Sequence, residues 1–317
     1  MKILFHTQTL NYRGTAVAVY DYAKYNQEIL GNESIICYNS SIPEEMDVST
    51  EQEVINFIKK DFNVVSYSND KELQKICDEV DVAYFIRYGH KEPLPKVRTA
   101  VHAVFQAYEP HGERYAYVSE WLASKIMKEF TKELVPFVPH IVDLPDPNGD
   151  YKEKFNISKE KTVIGRIGGY LTFDLPFVKK QLSEFLQQND NYIFLFVNTE
   201  PFLSHPNIKY INSIVDRQKK SNFINTCDAM LHARRRGESF GLSVCEFLFH
   251  NKPVLAWDDG VDQNHIHLLK HTNLLYNEQN FKEKLLSFRD SKYDFKSIVK
   301  QFEPKPVMQT FQEVFLS

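Results

Sequence analysis

The chain has 317 residues, 38 Lys plus Arg against 42 Asp plus Glu and a formal net charge of −4, a balance that argues against a surface given over to nucleic-acid phosphate. Hydrophobic residues at 43% and charged residues at 25% describe a folded globular protein, and the length exceeds what one core usually fills, so two domains of about 150 residues are expected. The start is too poor in apolar residues for a signal peptide, no run approaches the roughly 20 that span a bilayer, and four cysteines without C-x-x-C spacing suit reduced thiols, so a soluble cytoplasmic protein with no zinc site is expected.

In chain order, a short apolar strand at 3–5 is followed by a polar loop through Gly14 and a helical run at 15–29. Strand patterns recur at 34–38, 63–67, 81–86, 99–105 and 115–118, with helical stretches at 51–60, 71–80 and 120–130. Such alternation predicts a parallel sheet covered by helices. Pro136, Pro139, Pro145 and Pro147 then crowd a stretch that no regular element tolerates, which reads as a linker. A second alternating set follows: strand 162–167, helix 176–187, strands 192–198 and 208–211, helix 217–226, strand 229–232, helix 240–250 and strand 253–257. Helical spacing returns after Pro306. The expected domains are therefore 1–144 and 145–305, both α/β, with a terminal helix at 306–317.

The richest chemistry lies in residues 234–257, where Glu238 and Glu246 bracket a glycine turn and a helix start. Ser239 is placed to cap that helix, and Gly241 lets the backbone approach a ligand whose phosphates would be drawn to free N–H groups and the positive dipole end. Glu246 falls roughly 9 Å further along the axis at about 1.5 Å per residue. A nucleotide-diphosphate sugar carries hydroxyls at both ends and charge in the middle, and the order carboxylate, helix start, carboxylate matches it. The competing reading is an amphipathic helix with both glutamates solvated. Upstream, Thr162-Val-Ile-Gly-Arg-Ile-Gly-Gly runs from a buried strand into Gly168 and Gly169, a turn in which backbone N–H groups and the Arg166 fork can hold a diphosphate, or which is a plain strand-to-helix turn. Asp258-Asp259-Gly260 lacks further ligands, and His265 and His267 alternate rather than share a helix face, so no metal site is expected.

The Glu238-x7-Glu246 pair, with Phe240-Gly241 inside it and Lys252-Pro253-Val254 behind, resembles the signature of the family-4 retaining glycosyltransferases. That resemblance implies a GT-B fold, two Rossmann-like domains facing each other across a cleft, with 145–305 as nucleotide-sugar domain, 1–144 on the acceptor side and the terminal helix packing back on the latter. It assigns Glu238 to the donor sugar, Glu246 to the ribose, and the turn Ser239, Phe240, Gly241 and Leu242 to the diphosphate. Arg166 resembles the family's arginine that neutralises the leaving group. Where the family supplies a phosphate-binding lysine this chain has Thr172, a substrate-binding candidate, and either it or one of Arg234, Arg235 or Arg236 is the replacement. His102 resembles the strand-end histidine beside the reacting centre, although a strand histidine is commonly a satisfied structural residue. Gly14 and Thr15 resemble the glycine loop of the first domain, and Ser119 before Glu120-Trp121 resembles a helix cap. The implied activity is a retaining hexosyltransferase moving sugar from a nucleotide-diphosphate donor to a hydroxyl of a glycan, lipid or protein, without cofactor, obligatory metal or nucleic-acid partner. A nucleotide-sugar epimerase or phosphorylase, or a silent nucleotide-sugar binder, are the alternatives. The loops 38–46, 87–94 and 108–114 are expected to shape the acceptor side.

Overall fold

A computed structural model describes residues 1–43 and 49–317, so residues 44–46 of the loop 38–46 lie outside the described residues. The chain divides into two compact units, Met1–Ile141 together with Gln301–Ser317, and Val142–Lys300.

In the first unit, strands β1 (Lys2–Thr7), β2 (Glu33–Asn39), β3 (Asn63–Tyr67), β4 (Val82–Arg87), β5 (Arg98–Ala103) and β6 (Arg114–Tyr117) form one sheet in the order β3-β2-β1-β4-β5-β6. Every pairing is parallel, with His6 opposite Cys37 and Phe85. The strands read as near-continuous apolar runs because both faces are covered by helices, which is what a parallel sheet requires. Helices α1 (Gly14–Glu28), α2 (Gln52–Ile58) and α3 (Asp70–Cys77) make the crossovers between β1 and β4, and α4 (Glu120–Ile126) follows β6. Their starts follow capping chemistry: the Asn69 side chain accepts from Glu72 N, and Ser119 accepts from Leu122 N at 3.2 Å. The α1 helix has no side-chain cap and begins at the exposed Gly14.

The second unit repeats the plan. Strands β7 (Thr162–Ile167), β8 (Tyr192–Val197), β9 (Ile208–Ile211), β10 (Ala229–His232), β12 (Val254–Trp257) and β14 (Leu275–Tyr276) form a parallel sheet in the order β14-β12-β10-β7-β8-β9. A separate two-residue ladder joins β11 (Gly237–Glu238) to β13 (Asp262–Gln263). Helices α5 (Pro176–Leu186), α6 (Arg217–Thr226), α7 (Leu242–Phe249), α8 (Asn264–Leu269), α9 (Phe281–Ser287) and α10 (Phe295–Val299) surround them. Gly165 in β7 is dictated by packing, since a Cβ there would stand 2.3 Å from Cys227 Sγ. The small ladder and β14 carry too few residues to produce a periodicity, and sequence patterning does not find them.

Residues 139–150 form no helix or strand. Ile141 packs with the first unit and Val142 with the second, so the division falls at 141/142, three residues before the expected 144/145. The last helix, α11 (Pro304–Phe311), and the π-helical turn Gln312–Leu316 belong to the first unit, where Phe311 stacks on Tyr22 at 5.1 Å and on Phe5 at 6.1 Å. Among the described residues no helix is long and apolar enough to cross a membrane.

Candidate active site

Strands β7 and β10 are the neighbours at which the order of the second sheet reverses, the place where open parallel sheets bind ligands beyond their carboxyl ends. His232 closes β10, and the chain turns through Arg234 into β11. Gly237 there has φ +78°, and a Cβ would lie 1.9 Å from the Asp262 carbonyl oxygen, so only glycine permits the β11–β13 ladder. Gly241, at φ +88° and ψ +54°, is the N-cap of α7, and a Cβ on it would meet Glu238 Cβ at 3.2 Å. This corrects the expected role of Ser239. The helix starts at Leu242, and no side chain caps it. Its first intrahelical bond runs from Cys245 N to Gly241 O at 3.0 Å, which leaves the amides of Leu242, Ser243 and Val244 open to an acceptor from outside the helix.

Glu238 sits against that helix start with both oxygens engaged. Oε1 accepts from His232 Nε2 at 3.1 Å, and Oε2 accepts from Arg234 Nη1 at 3.0 Å. Burial opposes its ionisation, but Arg234 and the His232 hydrogen bond outweigh burial and hold the carboxyl at about 2. It is a fixed anion that only accepts hydrogen bonds. His265 Nε2 donates to the Trp257 carbonyl at 2.9 Å, its ring lies 4.9 Å from that of His232, and burial pulls its pKa down to about 3. The Nδ1 atoms of both histidines are buried without a protein partner.

Glu246, one turn into α7, is buried and takes Lys220 Nζ on Oε1 at 2.7 Å, with side-chain exposures of 5% and 10% that leave the pair nearly desolvated. Lys220 comes from α6, whose start is fixed by Asp216 accepting from Lys219 N. The arginine triplet is divided: Arg234 serves Glu238, Arg236 pairs with Asp262 at 2.6 Å, and Arg235 is exposed. Phe240 is buried and its carbonyl accepts from Asn264 Nδ2 at 2.6 Å, tying α8 to the turn.

Two expectations are corrected by burial. Arg166 does not present its fork outward: Nη1 donates to the Asn198 carbonyl at 3.0 Å and to Thr199 Oγ1, and Nη2 donates to the Gly169 carbonyl at 2.8 Å and Thr172 Oγ1 at 2.7 Å. It is a brace for the loop 168–172. Gly168 is explained by the same brace, because a Cβ would stand 2.6 Å from Arg166 Nη2. Thr172, expected to contact the donor, is instead a partner of Arg166 and Gly169. His102, in the first unit, is 0% exposed; Nδ1 accepts from Tyr84 Oη at 2.6 Å and Nε2 donates to the Val138 carbonyl at 2.9 Å. Burial lowers its pKa to about 3 and no ring nitrogen is left for a ligand. Gly14 and Thr15 stand at the exposed start of α1, also in the first unit.

The structure thus gathers Glu238, Gly241, Leu242 and Glu246 on one strand-turn-helix and adds His232 and Lys220, which sequence reasoning missed, and His265, which it weighed only as a metal ligand. Lys220 carried a signal: it occupies the buried face of α6 with Phe223 and Ile224, where a charge requires a partner. Among the described residues no three His, Cys, Asp or Glu side chains gather as a metal would need.

No protein-family model matches the sequence, and no curated protein sequence matches it. Solved structures do. HepE from Anabaena, in complex with UDP and glucose, superposes with a TM-score of 0.76 over 100% of both chains at 13% identity. A glycosyltransferase from Rickettsia africae gives 0.71 over 99% of this chain and 97% of its own at 13% identity. A TarM variant from S. aureus, in complex with fondaparinux, alpha-GlcNAc-glycerol and UDP, gives 0.70 over 100% and 99% at 10% identity. With its two parallel six-stranded α/β units, the chain has the GT-B fold.

Proposed function

We propose that this protein is a retaining glycosyltransferase that takes a sugar from a uridine-diphosphate donor and passes it to an acceptor hydroxyl. The observation that carries the reading is Glu238, a carboxylate fixed by His232 and Arg234 directly against the uncapped start of α7. Glu238 accepts hydrogen bonds from the donor sugar, the amides of Leu242 to Val244 hold the diphosphate, and Glu246 takes the ribose beside Lys220. Arg166 positions the glycine loop. The uridine assignment draws on the UDP found with HepE and TarM.

In the reaction the bond from the anomeric carbon to the β-phosphate oxygen breaks and a bond to the acceptor oxygen forms on the same face, while the acceptor proton passes to the departing phosphate. Charge grows on the diphosphate as the sugar becomes oxocarbenium-like, and fixed N–H donors aimed at it lower the barrier. This arrangement works without a dedicated carboxylate base and without a divalent cation. Turnover that vanishes with a chelator and returns with manganese would count against the second point. Four unpaired, buried cysteines support a reducing compartment such as the cytoplasm.

A thermal-shift panel of UDP, GDP, ADP and their sugars tests the reading, since a ligand at 100 times its Kd adds about 2.7 kcal/mol of stability. UDP and a UDP-sugar should stand out. Incubation with the UDP-sugar alone should leave the sugar unisomerised, whereas an epimerised product would identify an epimerase.

A further inference from the structure

The first sheet also has a reversal point, between β1 and β4, and there the carboxyl ends carry a polar cluster that the donor site does not use. Arg87, the last residue of β4, is 6% exposed and lies over the Phe85 ring at 5.0 Å. Its Nη1 donates to His6 Nδ1 at 3.2 Å. An arginine only donates, so His6 must carry its proton on Nε2, and burial followed by the adjacent guanidinium keeps the ring neutral. That Nε2 then donates to Tyr67 Oη at 2.9 Å. Tyr67 also takes a hydrogen bond from Arg87, and its own proton, at the end of this relay, meets no acceptor among the described residues.

The cluster is therefore rich in donors and short of acceptors. Arg87 Nε is buried without a hydrogen bond, and the nearest anion, Glu92 Oε2 at 3.3 Å, lies off the N–H direction. Glu92 belongs to the loop after β4 and its side chain is 34% exposed, so its head reaches solvent beside Arg87. A buried guanidinium whose Nε–H has no acceptor is suited to an oxyanion brought to that side of the fork.

We propose that Arg87, with His6 and Tyr67, forms an oxyanion-binding subsite in the first unit, and that Glu92 is an internal competitor that occupies it loosely until a phosphate-like or carboxylate group arrives. If the protein is a glycosyltransferase, this subsite selects acceptors that carry a negative charge. The subsite stands on its own geometry, and only its assignment to the acceptor rests on the transferase reading.

Inorganic phosphate is the probe, titrated into the full chain at constant ionic strength with saturating UDP present, so that the α7 amides are filled. Phosphate should raise the melting temperature saturably. Glu92→Gln, which removes the competitor and leaves the buried residues intact, should tighten phosphate about fivefold, the scale of a partly exposed ion pair. Arg87→Lys keeps the charge but loses the fork and should weaken phosphate at least tenfold. Both variants should bind UDP as the wild type does. No response to phosphate, a Glu92→Gln variant with wild-type affinity, or a response that survives Arg87→Lys would each overturn the subsite. A lost UDP response with the phosphate pattern intact would remove the transferase reading and leave the subsite standing.

Discussion

Glu238→Gln is the substitution in which structure and function separate most cleanly. The carboxyl is lowered from its ordinary value of 4.5 to about 2, which corresponds to about 3 kcal/mol of stability at neutral pH, with 21% side-chain exposure and therefore little solvent screening. Because the folded pKa is depressed, that contribution is complete above pH 4.5 and fades as pH falls toward 2. Glutamine keeps the shape but cannot carry the charge facing Arg234. Urea unfolding at pH 7 should show the variant less stable by up to about 3 kcal/mol, with the gap narrowing once the pH drops below 4.5. UDP affinity of the folded variant should stay within about twofold, while kcat/KM with the UDP-sugar should fall on the order of 10²-fold or more. Equal stability at pH 7, or a gap independent of pH, would refute the electrostatic account; wild-type turnover would remove Glu238 from the mechanism.

Lys220→Met should cost about 3–5 kcal/mol by stranding the buried Glu246 carboxylate, and Glu246→Gln in the same chain should recover part of that loss in a denaturant cycle. His102→Gln should lower stability by about 1–3 kcal/mol yet leave turnover per folded molecule unchanged, a direct check on its structural placement. With its folded pKa near 3, His102 also contributes to acid sensitivity: the neutral ring loses stability as pH falls below 6.5, and the variant should lack that part of the wild-type slope. Gly241→Ala places a side chain at φ +88° against Glu238 and should cost about 1–2 kcal/mol in thermal melts, with a larger loss in UDP affinity because the helix start shifts.

The alternation of apolar strands with helical stretches made two parallel α/β units legible before any coordinates, because buried parallel strands leave continuous apolar runs such as Tyr192–Val197. The strand-turn-helix around Glu238 was legible from the glycine turn between the two glutamates, whereas its cap was misread as Ser239, because the left-handed Gly241 moves the helix start to Leu242. What sequence could not convey was how polar groups are spent. Arg166 looks available until Asn198 and Thr199, more than thirty residues later, fold back onto its guanidinium. His102 looks like a strand-end ligand until Tyr84 and Val138 take both nitrogens. His232 reaches Glu238 only because Gly237 bends the chain out of β10 into the small ladder, a turn that depends on Asp262 at a distance of twenty-five residues. Partners set by tertiary contact leave no spacing to read.

The central claim is that the start of α7 beside Glu238 grips the diphosphate of a nucleotide donor. Amide hydrogen exchange of residues 237–249 with and without UDP tests it directly. The uncapped amides of Leu242, Ser243 and Val244 should exchange fast in the free protein and slow markedly when UDP binds. Binding of UDP that leaves those three amides unprotected would contradict the account.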